Sequence, residues 1–220
     1  MKDLLADPAS PILSQAFLDW WFAPWQYFEL PVLPGMSATL VAKRDSYRAW
    51  CERAALAPDL PRLFEPGWQS AASQQGEELR HRAGLFGGLF AARERQQSVL
   101  GTLARDQQTW CQRVSLAQPL TRCVPGISRS DDGQADAVLV GLAELAWRLE
   151  QHFPGMWARL RGLLDHSERS RIDSALPAAA HPPVSESAAA ARRALRCWQS
   201  CCMRAQQGCY RPAFYESDDP

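Results

Sequence analysis

The sequence has no apolar run long enough to cross a bilayer. Its longest uncharged apolar stretches cover residues 83–92 and 137–143, whereas a membrane-spanning helix needs about 20 residues. The first residues, MKDLLADPASP, contain two aspartates and no apolar core, which is not the pattern of a secretory signal peptide. We therefore expect a cytoplasmic protein without a membrane span.

The sequence also has no net charge, because 24 Lys and Arg residues balance 24 Asp and Glu residues. Nucleic-acid-binding domains usually carry a basic excess or a basic stripe, so we expect no nucleic-acid partner. Lysine occurs only at positions 2 and 43, so the cations are nearly all arginines. They cluster at Arg80, Arg82, Arg93 and Arg95, at Arg159 and Arg161, and at Arg192, Arg193 and Arg196. These clusters are either helix surfaces balanced by Glu or docking faces for an acidic partner.

Alternating runs of β-branched residues, which would predict strands, are nearly absent. The sequence therefore predicts an all-α fold, an irregular domain of six to eight helices with Pro-rich connectors. We expect a helical core domain with an N-terminal aromatic arm over residues 1–175 and a Pro/Ala linker over 176–185. A C-terminal helix packed on the core follows over 186–210, and then an acidic tail over 211–220 that we expect to be disordered.

Motifs of known chemistry are missing as well. The glycine-rich AGLFGGLFAAR lacks the Lys-Ser/Thr ending of a phosphate-binding loop, and no strand precedes it. No two of the four histidines are three or four residues apart, so no helical metal face forms. No nucleophile signature such as Gly-x-Ser-x-Gly occurs. We expect no catalytic residue, no cofactor, no metal and no small-molecule substrate, and so a protein that is not an enzyme.

Seven cysteines are present, an odd number without a secretion signal, which indicates free thiols in a reducing compartment. Four of them lie in the cluster Cys197, Cys201, Cys202 and Cys209. The cluster has no Cys-x2-Cys pair and no nearby His, unlike most zinc sites. We interpret these cysteines as small apolar side chains of a helix packing face.

The most distinctive feature present is an aromatic segment, FLDWWFAPWQYFELPVLP, over residues 17–34. Its prolines exclude one long helix. Trp20 and Trp21 are consecutive and cannot share a helical face, so we expect at least one of them to lie outside the local core. Nine tryptophans also exceed what a helical core of this size is expected to use. The candidate partner-binding residues are Trp20, Trp21, Trp25, Tyr27, Phe28, Arg93 and Arg95.

Apolar spacing and capping residues predict the helices. The first covers 11–22, with Ser10 as its cap, and the second covers 37–56, with Ser37 as its cap. A long helical region over 73–116 is expected to break near 96–101 and fold into a hairpin, with its glycines allowing close approach of another helix. Further helices are predicted over 134–152, from Pro154 onward, over 167–175 and over 186–207.

Four stretches of the chain resemble the SctK family (also called YscK or PscK) of bacterial type III secretion accessory proteins. They are FAPWQYFELPVLP with its Pro24-x2-Tyr27 element, LRHRAGLFGGLFAARERQQSVL, VLVGLAELAWRLEQHFPGMWARLRGLL and ARRALRCWQSCCMRAQQGC. Together they cover about half of the chain, in the order that the family shows. Two residues after the tyrosine, where His is common in the family, this chain has Glu29.

The resemblance implies a component of the cytosolic sorting platform of an injectisome, at the cytosolic face of the inner membrane. Members of the family are adaptors without catalysis. They link the cytosolic domain of the inner-membrane ring protein SctD to pods of SctQ, with SctL and the ATPase SctN further in. The expected partners are therefore SctD and SctQ, with SctL as a further candidate.

Two other functions are left open by the residues. One is a type III secretion chaperone or regulator, although such proteins are typically smaller and more acidic. The other is a helical enzyme that uses a Cys or a His, which would show an activated thiol of lowered pKa.

Overall fold

The computed structural model describes residues 12–27, 40–124, 127, 136–176 and 186–209; the side chains at 40–43, 208 and 209 are outside the description. Within these ranges the chain is helical and contains no strand, which confirms the all-α prediction. The α-helices are α1 (Gln15–Phe22), α2 (Leu40–Arg53), α3 (Gly76–Arg93), α4 (Gln97–Leu100), α5 (Arg105–Ala117), α6 (Ala137–His152), α7 (Met156–Leu160), α8 (His166–Ala175) and α9 (Ala188–Cys209). Short 3-10 helices cover Pro24–Gln26, Pro66–Ala71 and Arg161–Leu163.

Two apolar helices, α3 and α6, cross at the centre of the molecule. Both are buried around nearly their whole circumference, over 82–91 in α3 and over 139–149 in α6, as expected of helices that are hydrophobic on every face. Helices α5 and α9 pack against α3, and α8 packs against α6. Helix α3 ends near the predicted break, but the predicted hairpin is wrong. His81 lies beside Gln107, Leu85 beside Cys111 and Glu94 beside Arg122, so α5 packs on α3 in the same chain direction.

Glycine allows the central crossing to be tight. A Cβ added at Gly87 would overlap the carbonyl oxygen of Ala137, and one added at Gly141 would overlap that of Ala83. The two backbones are therefore in direct contact, which confirms that these glycines serve helix–helix approach. The contact also sets α3 and α6 as the rigid centre on which the other helices pack.

Several helix starts differ from the predictions because a nearer side chain caps the helix. Helix α1 begins at Gln15, where the Ser14 hydroxyl accepts from the amide of Phe17 at 3.2 Å, so the predicted start at 11 is wrong. Helix α9 begins at Ala188 because Ser187 accepts from the amide of Ala190 at 3.3 Å. Helix α7 begins at Met156, preceded by Gly155 in a left-handed conformation (φ 81°), and not at Pro154. The predicted caps Ser10 and Ser37 lie outside the described residues, as do 177–185 of the expected linker and the expected tail.

The buried apolar residues form two clusters. The main core joins α1, α3, α5, α6, α7, α8 and α9. A smaller cluster consists of Tyr47, Trp50 and Cys51 of α2 with Leu56, and the partly buried Trp25 packs against it. Helix α2 is thus attached to the body through a separate set of aromatic contacts, and a seam runs between α1 and α2.

Candidate interaction site

Most tryptophans of this chain belong to the core. Both Trp20 and Trp21 are buried, with exposed fractions of 3% and 0%, so the expectation that one of them lies outside the local core is wrong. Consecutive residues point to different faces of a helix, but neighbouring elements cover both of these faces of α1. The buried tryptophans are Trp20, Trp21, Trp50, Trp68, Trp147, Trp157 and Trp198. Trp25 and Trp110 are half-buried.

Aromatic stacking holds the N-terminal segment on the body. The rings of Trp20 and Tyr27 stack with centroids 5.0 Å apart and an interplanar angle of 9°. The indole Nε1 of Trp20 donates to the carbonyl oxygen of Ser73 at 2.7 Å. Trp21 packs against Phe17 and Phe153. The candidate residues Trp20, Trp21 and Tyr27 are therefore packing residues of this face, and burial raises the pKa of Tyr27.

A fully buried arginine, Arg159 of α7, connects this segment to α2. Its guanidinium lies 3.6 Å from the centroid of the Trp21 ring, a cation–π contact that is strongest when desolvated. Its Nη2 donates to the Tyr47 hydroxyl at 3.1 Å and to the carbonyl oxygen of Ala57 at 2.8 Å. The Tyr47 hydroxyl in turn donates to the carbonyl oxygen of Pro58 at 2.6 Å. Arg159 therefore fixes the relative positions of α1, α2 and the loop that follows α2.

An open groove with a volume of about 1150 Å³ lies at the seam between α1 and α2; we call it the α1–α2 groove. Its aromatic lining comes from Trp20, Phe22, Trp25 and Tyr47. Phe22 is 41% exposed, although its ring still contacts that of Tyr47 at a centroid distance of 5.6 Å. The groove therefore presents aromatic surface to solvent on a framework that buried contacts hold in place.

Charged side chains form the rim of the α1–α2 groove. Arg44 and Arg48 of α2 lie one helical turn apart, and both are exposed. Neither forms an ion pair with any described carboxylate. Asp19 of α1 accepts from the Gln15 amide at 2.7 Å, and Asp59 lies after α2. The groove thus has two exposed guanidinium groups along the α2 wall, unpaired among the described residues, and carboxylates elsewhere on the rim.

The remaining candidate residues lie elsewhere. Arg93 ends α3 and Arg95 follows it with a positive φ of 58°, and both are exposed. Gln74, two residues before α3, lines the α1–α2 groove. Since α3 has 18 residues and is about 27 Å long, Arg93 and Arg95 lie at the opposite end of this helix from the groove. Phe28 is outside the described residues.

A second buried network was missed from the sequence. Arg148 of α6 donates through Nη1 to the Glu144 carboxylate at 2.5 Å and through Nη2 to that of Glu186 at 3.0 Å. Glu144 also accepts from the amides of Cys123 and Val124, at 3.0 and 2.8 Å. A Glu and an Arg four residues apart in an otherwise apolar helix were the available signal. The network joins α6 to the loop before it and to the start of α9.

The described cysteines, the candidate nucleophiles of the alternative enzyme hypothesis, are engaged in packing, and so is His152. All six described cysteines are free and buried. Burial raises the pKa of Cys111 and Cys123 to about 12, and that of Cys197 and Cys202 to about 11. This confirms the interpretation of Cys197, Cys201 and Cys202 as apolar packing residues. The His152 ring stacks on Trp68 with centroids 6.4 Å apart. Among the described side chains no group of three His, Cys, Asp or Glu could hold a metal ion.

Nor does the described part of the chain include any helix that combines the length and the apolarity of a membrane span. Three comparisons with known proteins, against family models, curated proteins and solved structures, find no match.

Proposed function

We propose that this protein is a non-enzymatic adaptor of the cytosolic sorting platform of a bacterial type III secretion injectisome. In this role it links the inner-membrane ring protein SctD to the SctQ pods. The resemblance to the SctK family motivates the assignment. The observation that carries it is the α1–α2 groove, which combines the exposed ring of Phe22 with two exposed arginines that pair with no described carboxylate. Aromatic and arginine side chains are the types enriched at the energetic centres of protein interfaces.

The state of the thiols supports contact rather than chemistry. A nucleophilic cysteine requires a lowered pKa and an exposed sulfur, whereas burial raises the pKa of the described cysteines, that of Cys201 well above its ordinary value. An enzyme that uses one of these thiols would need to open the core first. The adaptor assignment needs no such opening.

Rigid internal connections also support it, since an adaptor has to hold two partners at a defined separation. Arg159 fixes α2 to α1 and α7. Arg148 fixes the start of α9 to α6. The α1–α2 groove and the Arg93/Arg95 surface stand at opposite ends of α3, about 27 Å apart along the helix. Two separated surfaces on one rigid body are what a linker between two proteins needs.

The test is binding of the purified chain to the SctD cytosolic domain and to SctQ of the same host, measured by size-exclusion chromatography and titration calorimetry. We expect both partners to bind. The variant Phe22→Ala/Arg44→Glu/Arg48→Glu should lose one partner by at least about tenfold in affinity and keep the other. The variant Arg93→Glu/Arg95→Glu should show the reverse.

The two variants serve as controls for each other, because each replaces two exposed arginines by two glutamates; the first also removes the exposed ring of Phe22. Circular dichroism of both variants should match the unmodified chain. Binding of neither SctD nor SctQ by the unmodified chain would reject the adaptor assignment. Loss of both partners in both variants would show that the two surfaces are not separate binding sites.

A further inference from the structure

We propose that the α1–α2 groove binds an amphipathic helix of a protein partner, one that places an apolar stripe on the aromatic lining and two acidic residues one turn apart against Arg44 and Arg48. This inference deepens the proposed function, on which it rests for the identity of the partner. The aromatic lining and the charges of the groove, however, belong to this chain and do not depend on which protein the partner is.

The seam between α1 and α2 forms an open trough lined by aromatic side chains. The groove separates the main core from the smaller cluster around Tyr47 and Trp50, and its volume of about 1150 Å³ is open to solvent. Phe22 and the half-buried Trp25 both contact Tyr47 from the α1 side, with centroid distances of 5.6 and 6.3 Å. Such a trough of aromatic side chains between two elements suits the apolar face of a helix, which presents its anchors at positions i, i+3, i+4 and i+7.

The charges on the α2 side of the groove determine which residues the adjacent flank of the docked helix should carry. Arg44 and Arg48 are four residues apart on one face of α2, where two like charges repel each other. No described carboxylate pairs with either of them. Two carboxylates one turn apart on a docked helix would match their spacing and remove the repulsion.

The α1 side of the groove determines which residues suit the other flank of the docked helix. Asp19 of α1 is exposed and accepts one hydrogen bond from Gln15. A uniformly acidic helix would bring its second flank against this carboxylate, so the fitting partner carries basic or neutral residues there. Asp59 adds a second carboxylate to the rim. The groove therefore favours acidic residues only on the part of the helix that faces Arg44 and Arg48.

The arginines can be reversed without disturbing the fold. Both side chains are exposed on α2, and surface substitutions away from the core usually change stability little. The framework below them depends on Arg159, Tyr47 and Trp21, which the reversal leaves unchanged.

The experiment is selection of a displayed random library of peptides of about four helical turns against the full chain. Binders that survive are then measured by fluorescence anisotropy on five proteins: the unmodified chain, Arg44→Glu/Arg48→Glu, Phe22→Ala, and two controls. The charge control, Arg105→Glu/Arg113→Glu, reverses two exposed arginines of α5 that do not line the groove. A matched apolar control is Leu116→Ala, which removes a side chain that is 79% exposed.

We expect the selected peptides to share an apolar stripe with acidic residues one turn apart on one flank. Their affinity should fall at least about tenfold on Arg44→Glu/Arg48→Glu, fall on Phe22→Ala, and stay unchanged on both controls. Replacing the two acidic residues of the peptide by Lys should restore binding to Arg44→Glu/Arg48→Glu and abolish it on the unmodified chain.

Three outcomes overturn the proposal. The first is that no peptide depends on Phe22, Arg44 or Arg48. The second is that selected peptides bind the groove equally well with Lys in place of the acidic pair. The third is groove-dependent binding of a single-stranded oligonucleotide without any peptide binding, which would assign the arginines and aromatic rings to nucleic acid.

The result is separable from the test of the adaptor assignment. Acidic helices that bind the groove while SctD and SctQ fail to bind would support the groove and reject the adaptor. If SctD and SctQ bind equally well after substitution of Phe22, Arg44 and Arg48, the adaptor assignment would be supported and the proposed role of the groove rejected.

Discussion

Two buried arginines carry much of the structural specificity of this protein. Arg148 and Arg159 both have an exposed fraction of 0%. Burying an ion costs several kcal/mol unless partners replace its hydration. Arg148 obtains two carboxylates, and its guanidinium also lies 5.4 Å from the Phe90 ring. Arg159 relies on carbonyl and hydroxyl oxygens and on the face of Trp21. Each guanidinium orders elements that are distant in the sequence.

The Glu144–Arg148 pair gives a prediction at the scale of single residues. Glu144→Ala and Arg148→Met should each lower the free energy of unfolding by about 3–5 kcal/mol. Glu144→Ala removes one of the two carboxylates of Arg148 and the acceptor of the Cys123 and Val124 amides, and Arg148→Met leaves the Glu144 carboxylate buried without its cation. The double variant should lose at least about 1 kcal/mol less than the sum of the two. Urea unfolding followed by tryptophan fluorescence measures all three values.

An exposed acidic residue provides the control for this cycle. Glu52→Ala, on the solvent face of α2, should change the free energy of unfolding by no more than about 0.5 kcal/mol. If the two single core variants cost no more than this control, the pair contributes nothing to stability.

At the scale of elements, the crossing of α3 and α6 depends on the absence of two side chains. Gly87→Ala should lower the free energy of unfolding by about 3 kcal/mol, because the new methyl group would overlap the backbone of α6 and not a movable side chain. Thermal unfolding by circular dichroism, with urea unfolding as the quantitative measure, tests this. Gly141→Ala should behave similarly from the other helix.

The same helix offers a matched control. A Cβ at Gly84 would come 3.3 Å from a methyl group of Val138, which a small shift can accommodate. The gain in helix propensity, about 1 kcal/mol, offsets that shift, so Gly84→Ala should be close to neutral. Equal effects of Gly84→Ala and Gly87→Ala would show that propensity, and not backbone contact, governs these positions.

Helix α9 shows how an amphipathic element is placed. Its core face carries Ala194, Cys197, Trp198, Cys201, Cys202 and Ala205. Met203, on the other face, is 57% exposed. The Trp198 ring packs edge-on against Phe86 at a centroid distance of 5.5 Å. Cysteine acts here as a small apolar residue that lets α9 approach α3 closely.

At the scale of the whole molecule, the buried thiols predict how stability depends on pH. A thiol with an ordinary pKa of 9.0 ionises in the unfolded chain above that pH, whereas the folded pKa is about 12 for Cys111 and Cys123 and about 11 for Cys197 and Cys202. The folded state therefore binds more protons between these values. The contribution of these four thiols to the free energy of unfolding is fully present below about pH 9 and is lost as the pH rises towards 12.

Urea unfolding in the presence of a reductant, over a series of pH values, measures this dependence. We expect the unfolding midpoint to fall between about pH 9 and pH 12. Cys111→Ala should show a shallower fall, because one of the contributing thiols is gone. A midpoint that stays level across this interval would contradict the burial of the thiols in solution.

The local features of this chain could be predicted from its sequence. The helical periodicity, the break after α3, the role of the glycines in close approach and the packing role of Cys197, Cys201 and Cys202 all follow from spacing within about twenty residues. The direction of α5 along α3 does not, because contacts such as His81–Gln107 and Glu94–Arg122 decide it. Helix starts were less predictable, since Ser14 and Ser187 cap in place of the expected positions. Several side chains can satisfy the same amides, and the surrounding packing selects one.

By itself, then, the sequence determined the helical class and the apolar faces, because side-chain periodicity is a local property of the chain. Only the tertiary structure decided which aromatic and charged side chains face solvent. Trp20 and Trp21 are both buried because α1 is covered on two sides. Arg148 and Arg159 are buried because residues distant in the sequence supply their acceptors. Burial depends on those distant contacts, which no spacing along the chain specifies.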